Sequence, residues 1–294
     1  MSSPTLTRPV EVRLCYEAAC RGDIDGVKEQ VQRLLHTPGW PKSGGNMPRP
    51  GWLFDSLLVA MAKQNIELIQ YLLDEKISEL SSFLFVAAVR SRKYKVLNLF
   101  LGLGWDINTP RGRGEASALS IPISQGDWEM VRWLLDHGAD PNSRCDYDLT
   151  PMSDAILRAP LELIDYLFSR GANQNFGQLL HWAVIRDKPD ALEVVRRLVE
   201  LGVPINEVKY ANDPKGFRAR IGFGLGTPLH RAAEFGKVDI VKYLLEVGAD
   251  PLKLDTKSKT PRYWAEMDNL NDVALILEEA EECQLYGTEN RKKM

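Results

Sequence analysis

The sequence predicts an all-α fold in which short helix–turn–helix units stack into a solenoid, and the segment Gly226–Pro251 provides the first observation for it. Thr227 is a typical helix N-cap residue, and Pro228 suits the first helical position, where no N–H is needed. Gly236 and Gly248 each end a helix, because glycine adopts the left-handed conformation without a Cβ clash. Two helices this short cannot bury their apolar stripe alone, so the unit must stack against others.

The second observation is that this unit recurs along the chain. Pairs of apolar residues near the ends of the second helices return at intervals of 28 to 34 residues, apart from one interval of 46 residues. The pairs begin at Leu72, Phe100, Leu134, Leu167, Leu198, Leu244 and, in weaker form, Leu277. About seven or eight repeats are therefore predicted, and the long interval marks an insertion at residues 207–226.

These residues resemble the ankyrin-repeat family. The runs Thr227-Pro-Leu-His230 and Gly248-Ala-Asp250 match the family motif almost letter for letter, and Thr150-Pro151 and Thr260-Pro261 begin their helices as the family does. The resemblance implies an ankyrin-repeat solenoid of helix–turn–helix units with projecting β-hairpin or loop fingers. Its motifs are specific for the fold and say little about function.

The same resemblance sets the domain boundaries. The repeat domain is expected over residues 11–282 and is degenerate before about residue 110. Polar tails are expected at residues 1–10 and 283–294. A stack of repeats has no single core to subdivide, so one continuous domain is predicted.

Composition argues against several classes of protein. The formal net charge of −3 disfavours direct nucleic-acid binding. No apolar run reaches membrane-spanning length, and the polar start of the chain lacks a signal-peptide pattern. The 4 cysteines show no metal-ligand spacing, which favours reduced thiols in a cytoplasmic or nuclear protein.

The sequence gives little support for catalysis. His181 and His230 occupy the histidine position of the family motif, where the resemblance implies that the imidazole braces neighbouring turns. No nucleophile–base arrangement, phosphate loop or metal cluster is evident, so no catalytic residue, metal or cofactor is predicted. A second possibility remains open: a small-molecule or enzyme pocket under the insertion, lined by His181, Trp182, Asp146 and Tyr147.

Departures from the repeat indicate where a partner is expected to bind. The connection from Gly171 to Ala183 is shortened and the connection containing residues 207–226 is lengthened, so a trimmed finger lies beside a long one. The long connection is expected to close over a partner with the following aromatic and basic side chains: Tyr210, Phe217, Arg218, Arg220 and Phe223. The alternative is a tolerated surface insertion, because long loops add little closure entropy.

The inner-helix face offers a second binding surface. Counting back from the helix-closing turns, the same position is cationic in most repeats, as at Arg90, Arg158 and Arg186, and the position before it is apolar at Leu157 and Ile185. With Phe235 and the finger-tip residue Tyr147, this ladder suits an acidic-hydrophobic peptide. The alternative is a solvated face whose arginine stems cover apolar surface.

The function expected from this resemblance is that of a non-catalytic protein-interaction module. Compact proteins built almost wholly of such repeats act as adaptors, scaffolds, inhibitors or transcriptional co-regulators, and no residue selects among these roles. We therefore expect a monomer that binds a protein or peptide partner and makes no direct contact with nucleic acid or membrane.

Overall fold

The computed structural model describes residues 9–36, 52–76 and 79–292. The regular secondary structure of these residues is helical apart from one two-stranded antiparallel sheet, which confirms the predicted all-α class. The chain forms two units, Met1–Asp106 and Ile107–Met294. Most of the expected tail at residues 1–10 lies outside the described residues.

The first unit contains three helix pairs. Their second helices bury aliphatic stripes, for example Leu68 and Leu72, as the repeat pattern predicts. Asn65 caps one of them, because its side chain accepts a hydrogen bond from the backbone N–H of Leu68 at 3.1 Å. The helices of this unit are α1 (Val10–Arg21), α2 (Ile24–Leu35), α3 (Phe54–Ala62), α4 (Ile66–Asp74), α5 (Ser82–Arg90) and α6 (Tyr94–Gly102).

The second unit begins with a finger and continues as helix pairs. The finger consists of strands β1 (Pro110–Gly112) and β2 (Glu115–Ser117), paired antiparallel. The helices are α7 (Ser120–Gln125), α8 (Trp128–Asp136), α9 (Pro151–Arg158), α10 (Leu161–Ser169), α11 (Leu179–Ala183), α12 (Ala191–Glu200), α13 (Pro214–Arg220), α14 (Pro228–Glu234), α15 (Val238–Glu246), α16 (Pro261–Met267) and α17 (Asn271–Lys292). The first helix of each pair lies beside the fingers and is called an inner helix below.

Asparagine side chains tie successive repeats of the second unit together. Asn142 accepts a hydrogen bond from the backbone N–H of Asn173 at 2.7 Å and donates to the carbonyl of Gly171 at 2.8 Å. Asn108 and Asn206 make the same pair of bonds to the repeats that follow them. Each such side chain satisfies backbone groups left free where a helix ends, so the stacking register is fixed by polar bonds as well as apolar burial.

The histidine positions also link repeats. His230 Nδ1 accepts a hydrogen bond from the backbone N–H of Thr227 at 3.0 Å, and its Nε2 lies 3.1 Å from the carbonyl of Lys259. His181 Nε2 lies 3.2 Å from the carbonyl of Gly226. Both imidazoles are buried and brace a neighbouring turn, in agreement with the structural role expected from the sequence.

The trimmed connection forms a tight turn that depends on Gly177. Its φ is +80°, and a Cβ there would lie 2.4 Å from both Ser153 Oγ and Thr150 Oγ1. Ser153 Oγ donates to the Gly177 carbonyl at 2.6 Å. Glycine is required because the turn passes directly over the start of α9.

At the end of the chain, α17 runs to Lys292, so residues 283–292 of the expected polar tail continue a helix. Within the described ranges, no helix combines the length and apolar character needed to cross a bilayer.

Candidate functional site

Arg186, predicted to meet a partner, is fully buried, and the expectation that it lies on the surface is wrong. Its guanidinium makes a two-pronged ion pair with Asp190, with Nε and Nη2 each 2.7 Å from a carboxylate oxygen. Nη1 and Nη2 also donate to the carbonyls of Ile156 and Ala159, both at 2.7 Å. The ion pair lowers the pKa of the Asp190 carboxyl.

The reason for this burial lies at the end of α9. The C-cap residue Ala159 is extended and is followed by Pro160, so no left-handed glycine closes the helix. The carbonyls of the last turn then lack their usual backbone partners. Arg186 supplies those donors from the next repeat. Its guanidinium is therefore fully bonded within the protein and is not available to a partner.

Arg158 and Leu157 lie on the accessible side of α9. Arg158 is exposed and Leu157 is half-buried. Both line a cavity of about 330 Å³ between the β1–β2 finger and α9. The remaining lining residues are Arg111, Gly114, Glu115, Ala116, Leu149, Ser153, Asp154 and Trp182.

The wall of this cavity combines apolar surface with charged groups. Arg111 pairs with Glu115 at 3.3 Å and donates from Nε to the Ala116 carbonyl at 3.0 Å, which ties its side chain to the finger. Burial raises the pKa of the Asp154 carboxyl, and the charges of Arg111 and Arg158 oppose that rise only in part. The cavity is therefore a small, preformed recess at the junction of a finger and an inner helix, where protein–protein contacts can be anchored.

The other predicted ladder residues are accessible to different degrees. Phe235 is 49% exposed and lies under the Arg231 guanidinium, 4.9 Å from its ring centroid. Ile185 is half-buried. Arg90 is exposed in the first unit. Contact of these residues with a partner stays a prediction.

Tyr210 of the insertion is buried, and the expectation that it closes over a partner is wrong. Its backbone N–H donates to Gln178 Oε1 at 2.9 Å, and the Gln178 amide in turn donates to Asp148 at 2.7 Å. Tyr210 therefore fastens the insertion to the trimmed turn. Phe223 is 72% exposed, Arg218 and Arg220 are exposed, and Phe217 is half-buried, so these four stay available.

The insertion fills the place of the missing finger. On one side, Lys215 pairs with Asp146 at 2.8 Å, and Arg220 lies 4.9 Å from the centroid of the Tyr147 ring. On the other side, Thr256 Oγ1 accepts from the backbone N–H of Leu225 at 2.8 Å and donates to the Ile221 carbonyl at 2.7 Å. The notch expected from the shortened connection is thus bridged by the insertion, which contacts fingers on both sides.

Sequence reasoning missed Lys209. Its Nζ lies 4.1 Å from the centroid of the Trp182 ring and 5.5 Å from that of Tyr210. Burial lowers the pKa of Lys209 to about 8, and the charges of Arg231 and Arg220 add to this effect. The only signal in the sequence was a lysine beside an aromatic residue in the insertion, since the path of an irregular insertion does not follow from a period.

The alternative pocket residues are not brought together. His181 lines a cavity of about 220 Å³ near the trimmed turn, whereas Trp182 lines the larger cavity beside α9. Asp146 is engaged by Lys215. Burial and the charge of Lys209 lower the pKa of His181 to about 3, so its imidazole is neutral and bonded to a backbone carbonyl.

No group of three or more histidine, cysteine, aspartate or glutamate side chains within the described residues is arranged to hold a metal ion. The cysteines are free thiols, and burial raises the pKa of Cys15 to about 12. That thiol is therefore protonated at neutral pH.

Comparisons with known proteins match this architecture. A family model described as ankyrin repeats, three copies, matches residues 84–178 and 180–286. The chain is 24% identical over 249 residues to an ankyrin repeat and KH domain-containing protein of Caenorhabditis briggsae, covering 81% of this chain and 8% of that protein. It is 24% identical over 284 residues to the ankyrin repeat protein nuc-2 of Neurospora crassa, covering 86% of this chain and 26% of that protein.

Two further matches are to an enzyme and to a solved structure. An L-asparaginase of Dirofilaria immitis is 26% identical over 170 residues, covering 57% of this chain and 27% of that enzyme. The crystal structure of the human ASB11 ankyrin repeat domain has a TM-score of 0.47 and 21% identity, covering 76% of this chain and 82% of that chain. The chain thus spans between 8% and 27% of the three sequence relatives named above.

Proposed function

The chain belongs to the ankyrin-repeat family, whose repeats are protein-interaction modules, and we propose that it binds a segment of a partner protein without catalysing a reaction. The binding surface is the inner-helix and finger face of the second unit. In this assignment Leu157 and Arg158 of α9, Phe235, and the exposed part of the insertion contact the partner.

The observation that carries this proposal is the cavity of about 330 Å³ beside α9. It is walled by a finger, an inner helix and Trp182, which are the elements that repeat proteins present to their partners. Its volume is at the lower end of the range for ligand pockets, which suits one apolar side chain of a polypeptide. Because the Arg111 side chain is held by two bonds to the finger, part of the wall is ordered before binding, and less entropy is lost when a partner docks.

The surrounding charges favour a partner segment that carries acidic groups. Arg158, Arg218 and Arg220 are exposed around this face. Paired with carboxylates, they would contribute charge-assisted hydrogen bonds and favour rapid encounter. An adaptor, scaffold or regulatory role, including co-regulation of transcription, is proposed for a monomeric protein of the cytoplasm or nucleus.

Site-specific photo-cross-linking tests this assignment. Benzoylphenylalanine is placed at Leu157 in one variant and at the exposed Arg132 of the second helix α8 in a matched control. Both variants are irradiated in cell extract, and adducts are identified by mass spectrometry. We expect a specific adduct at position 157 that is lost when Arg158→Glu is added. If the same adducts form with equal yield at position 132, the inner-helix face is not the binding surface.

A further inference from the structure

Lys209 is a half-buried cation to which no anionic group in the described part of the chain is bonded. Its ammonium faces the rings of Trp182 and Tyr210, and no carboxylate or other acceptor in the described part of the chain bonds to its Nζ. Cation–π contact compensates only a fraction of the hydration that a buried ammonium loses. A buried charge of this kind is usually paired in a folded protein, so the unpaired state of Lys209 calls for an explanation.

Neighbouring positive charges further disfavour the ammonium of Lys209. Arg220 and Arg231 both lie close enough to lower the pKa of Lys209. Arg231 is paired with Glu234, whereas Arg220 stacks on Tyr147 and has no carboxylate partner among the described residues. Glu234, the carboxylate whose charge acts on Lys209, is bonded to Arg231, and Asp146 on the adjoining finger is engaged by Lys215.

Two further donors in this cluster are also unused. Nε1 of Trp182 and Nε of Arg231 are buried and have no hydrogen-bond partner in the described structure. The great majority of buried polar groups in native proteins have a partner. The unbonded ammonium of Lys209 and the orphan donors are independent observations, and both point to an acceptor that comes from outside the chain.

We propose that Lys209 and Trp182, with the exposed Arg220 nearby, form an anion subsite that binds a carboxylate of an acidic side chain in the partner segment. The subsite deepens the proposed function and rests on it. A carboxylate fits better than a phosphate, because the fork of Arg231 is committed to Glu234, and the donors that remain beside Lys209 are a single ammonium and one indole N–H.

Trp182 places the anion subsite next to the apolar cavity. The same indole lies under Lys209 and lines the cavity that contains Leu157. In an extended segment successive residues are about 3.3 Å apart, so an acidic and an apolar side chain one or two residues apart reach the two places together. The partner motif is thus an acidic residue within two positions of a large apolar residue.

A peptide selection identifies the motif directly. The full-length chain is used as bait for a phage-displayed library of random 12-residue peptides, and the best-enriched peptide is synthesised with a fluorescein label. We expect enriched peptides to carry Asp or Glu within two residues of Leu, Ile, Phe or Trp. Enrichment of peptides that lack an acidic residue overturns the anion subsite and leaves the proposed function standing. Failure to enrich any peptide contradicts the proposed function itself.

A double-mutant cycle then tests the contact. Lys209→Met removes the charge and keeps an apolar stem over Trp182, and Lys242→Met changes an exposed lysine of α15 as the matched control. We expect Lys209→Met to weaken binding of the labelled peptide about ten-fold, which corresponds to about 1.4 kcal/mol, and Lys242→Met to change it less than about two-fold. A peptide with its acidic residue replaced by Gln or Asn should lose about ten-fold against the unaltered chain and little against Lys209→Met.

Three outcomes overturn the inference. One is additive losses in the cycle, which would show that Lys209 and the carboxylate do not interact. Another is equal loss in the Lys242→Met control. The third is binding more than about ten-fold tighter when phosphoserine replaces the acidic residue, which would assign the subsite to phosphate. Arg220→Gln serves as a second variant, and circular dichroism confirms that each variant is folded.

Discussion

The repeat that starts at Thr227 and the repeat that starts at Gln178 are neighbours in the second unit, yet their inner helices are fixed in different ways. In the first, Thr227 and His230 bond to each other across one turn, and His230 reaches the next repeat. In the second, Gln178 adopts a positive φ of 57°, and its side-chain amide holds both Asp148 and the backbone of Tyr210.

The ends of the inner helices also differ between the Thr227 repeat and α9, the inner helix of the repeat before the one at Gln178. Gly236, with a φ of 63°, closes the turn after α14. No glycine follows α9, and the guanidinium of Arg186 satisfies its last carbonyls from the next repeat. The comparison teaches that a repeat which loses its capping residues can recover stability with buried polar side chains. Such side chains then cannot contact a partner, even when they occupy a position that is exposed in other repeats.

The largest expected effect is at Arg186. Arg186→Met leaves Asp190 and two buried carbonyls without their donors, and the free energy of unfolding should fall by about 3–5 kcal/mol. Phe235→Met changes the corresponding position of the regular repeat and should cost less than about 1 kcal/mol, because Phe235 is half exposed. Urea unfolding followed by circular dichroism measures both. Equal losses in the two variants would remove the distinction between the repeats.

The second effect is on the pH dependence of stability. The pKa of His181 is lowered from 6.5 to about 3 in the folded chain, so protonation below pH 6.5 favours the unfolded chain. The neutral imidazole stabilises the folded chain fully above pH 6.5. As pH falls from 6.5 towards 5, the free energy of unfolding should decrease by about 1.4 kcal/mol for each pH unit. Burial lowers the pKa of His230 too, so its contribution has the same sign.

Urea unfolding of His181→Gln and His230→Gln between pH 7.5 and 5 checks this. We expect the slope of stability against pH to flatten more in His181→Gln, because that imidazole is the more deeply shifted of the two. An unchanged slope in His181→Gln would show that the pKa of His181 is not lowered in the folded chain.

A smaller effect is expected at the helix cap of the regular repeat. Thr227→Ala removes the hydroxyl that lies 2.9 Å from His230 Nδ1 and should cost about 1 kcal/mol. Thr150→Ala, at the start of α9, removes the hydroxyl that accepts the backbone N–H of Ser153 at 3.1 Å and should cost a similar amount. Thermal unfolding of both variants, compared with Thr109→Ala, which lies outside the helices, shows whether the effect belongs to the caps.

The smallest effect has the opposite sign. Lys209→Met removes a half-buried cation that has no bonded anion and should raise the free energy of unfolding at pH 7 by about 0.5–1 kcal/mol, since the lost cation–π contact offsets part of the gain. The pKa of Lys209 is lowered to about 8, so the folded chain sheds this charge as pH rises, and the gain should shrink between pH 8 and 10.5. Destabilisation by Lys209→Met at pH 7 would show that the ammonium is stabilised within the free chain.

The fold and the regular repeats could be predicted because their signals are local. Thr227, Pro228 and the closing glycines each act within one turn of helix, and the repeat period transfers the assignment along the chain. The burial of Arg186 could not be predicted from such local signals. It depends on how the preceding helix ends, and only the Ala159-Pro160 step, which lacks a glycine, signals that difference in the sequence.

The candidate site was harder to predict for the same physical reason. Its residues come from a finger, an inner helix and an insertion that are distant in sequence. The positions of Arg158 and Leu157 follow from the repeat period, and the structure places both at the cavity. The contacts of Lys209 and Tyr210 depend on the path of the insertion over the trimmed turn, which no periodic pattern encodes.

The Arg186 guanidinium also bears on how the stack comes apart. Repeat proteins fray from their ends, and each repeat normally detaches at the cost of one interface. Here two hydrogen bonds from the Arg186 guanidinium to carbonyls at the end of α9 cross between two repeats, so separating these repeats costs both bonds in addition to the apolar contacts. The two repeats should therefore melt, and resist mechanical pulling, as a single block rather than as two successive steps.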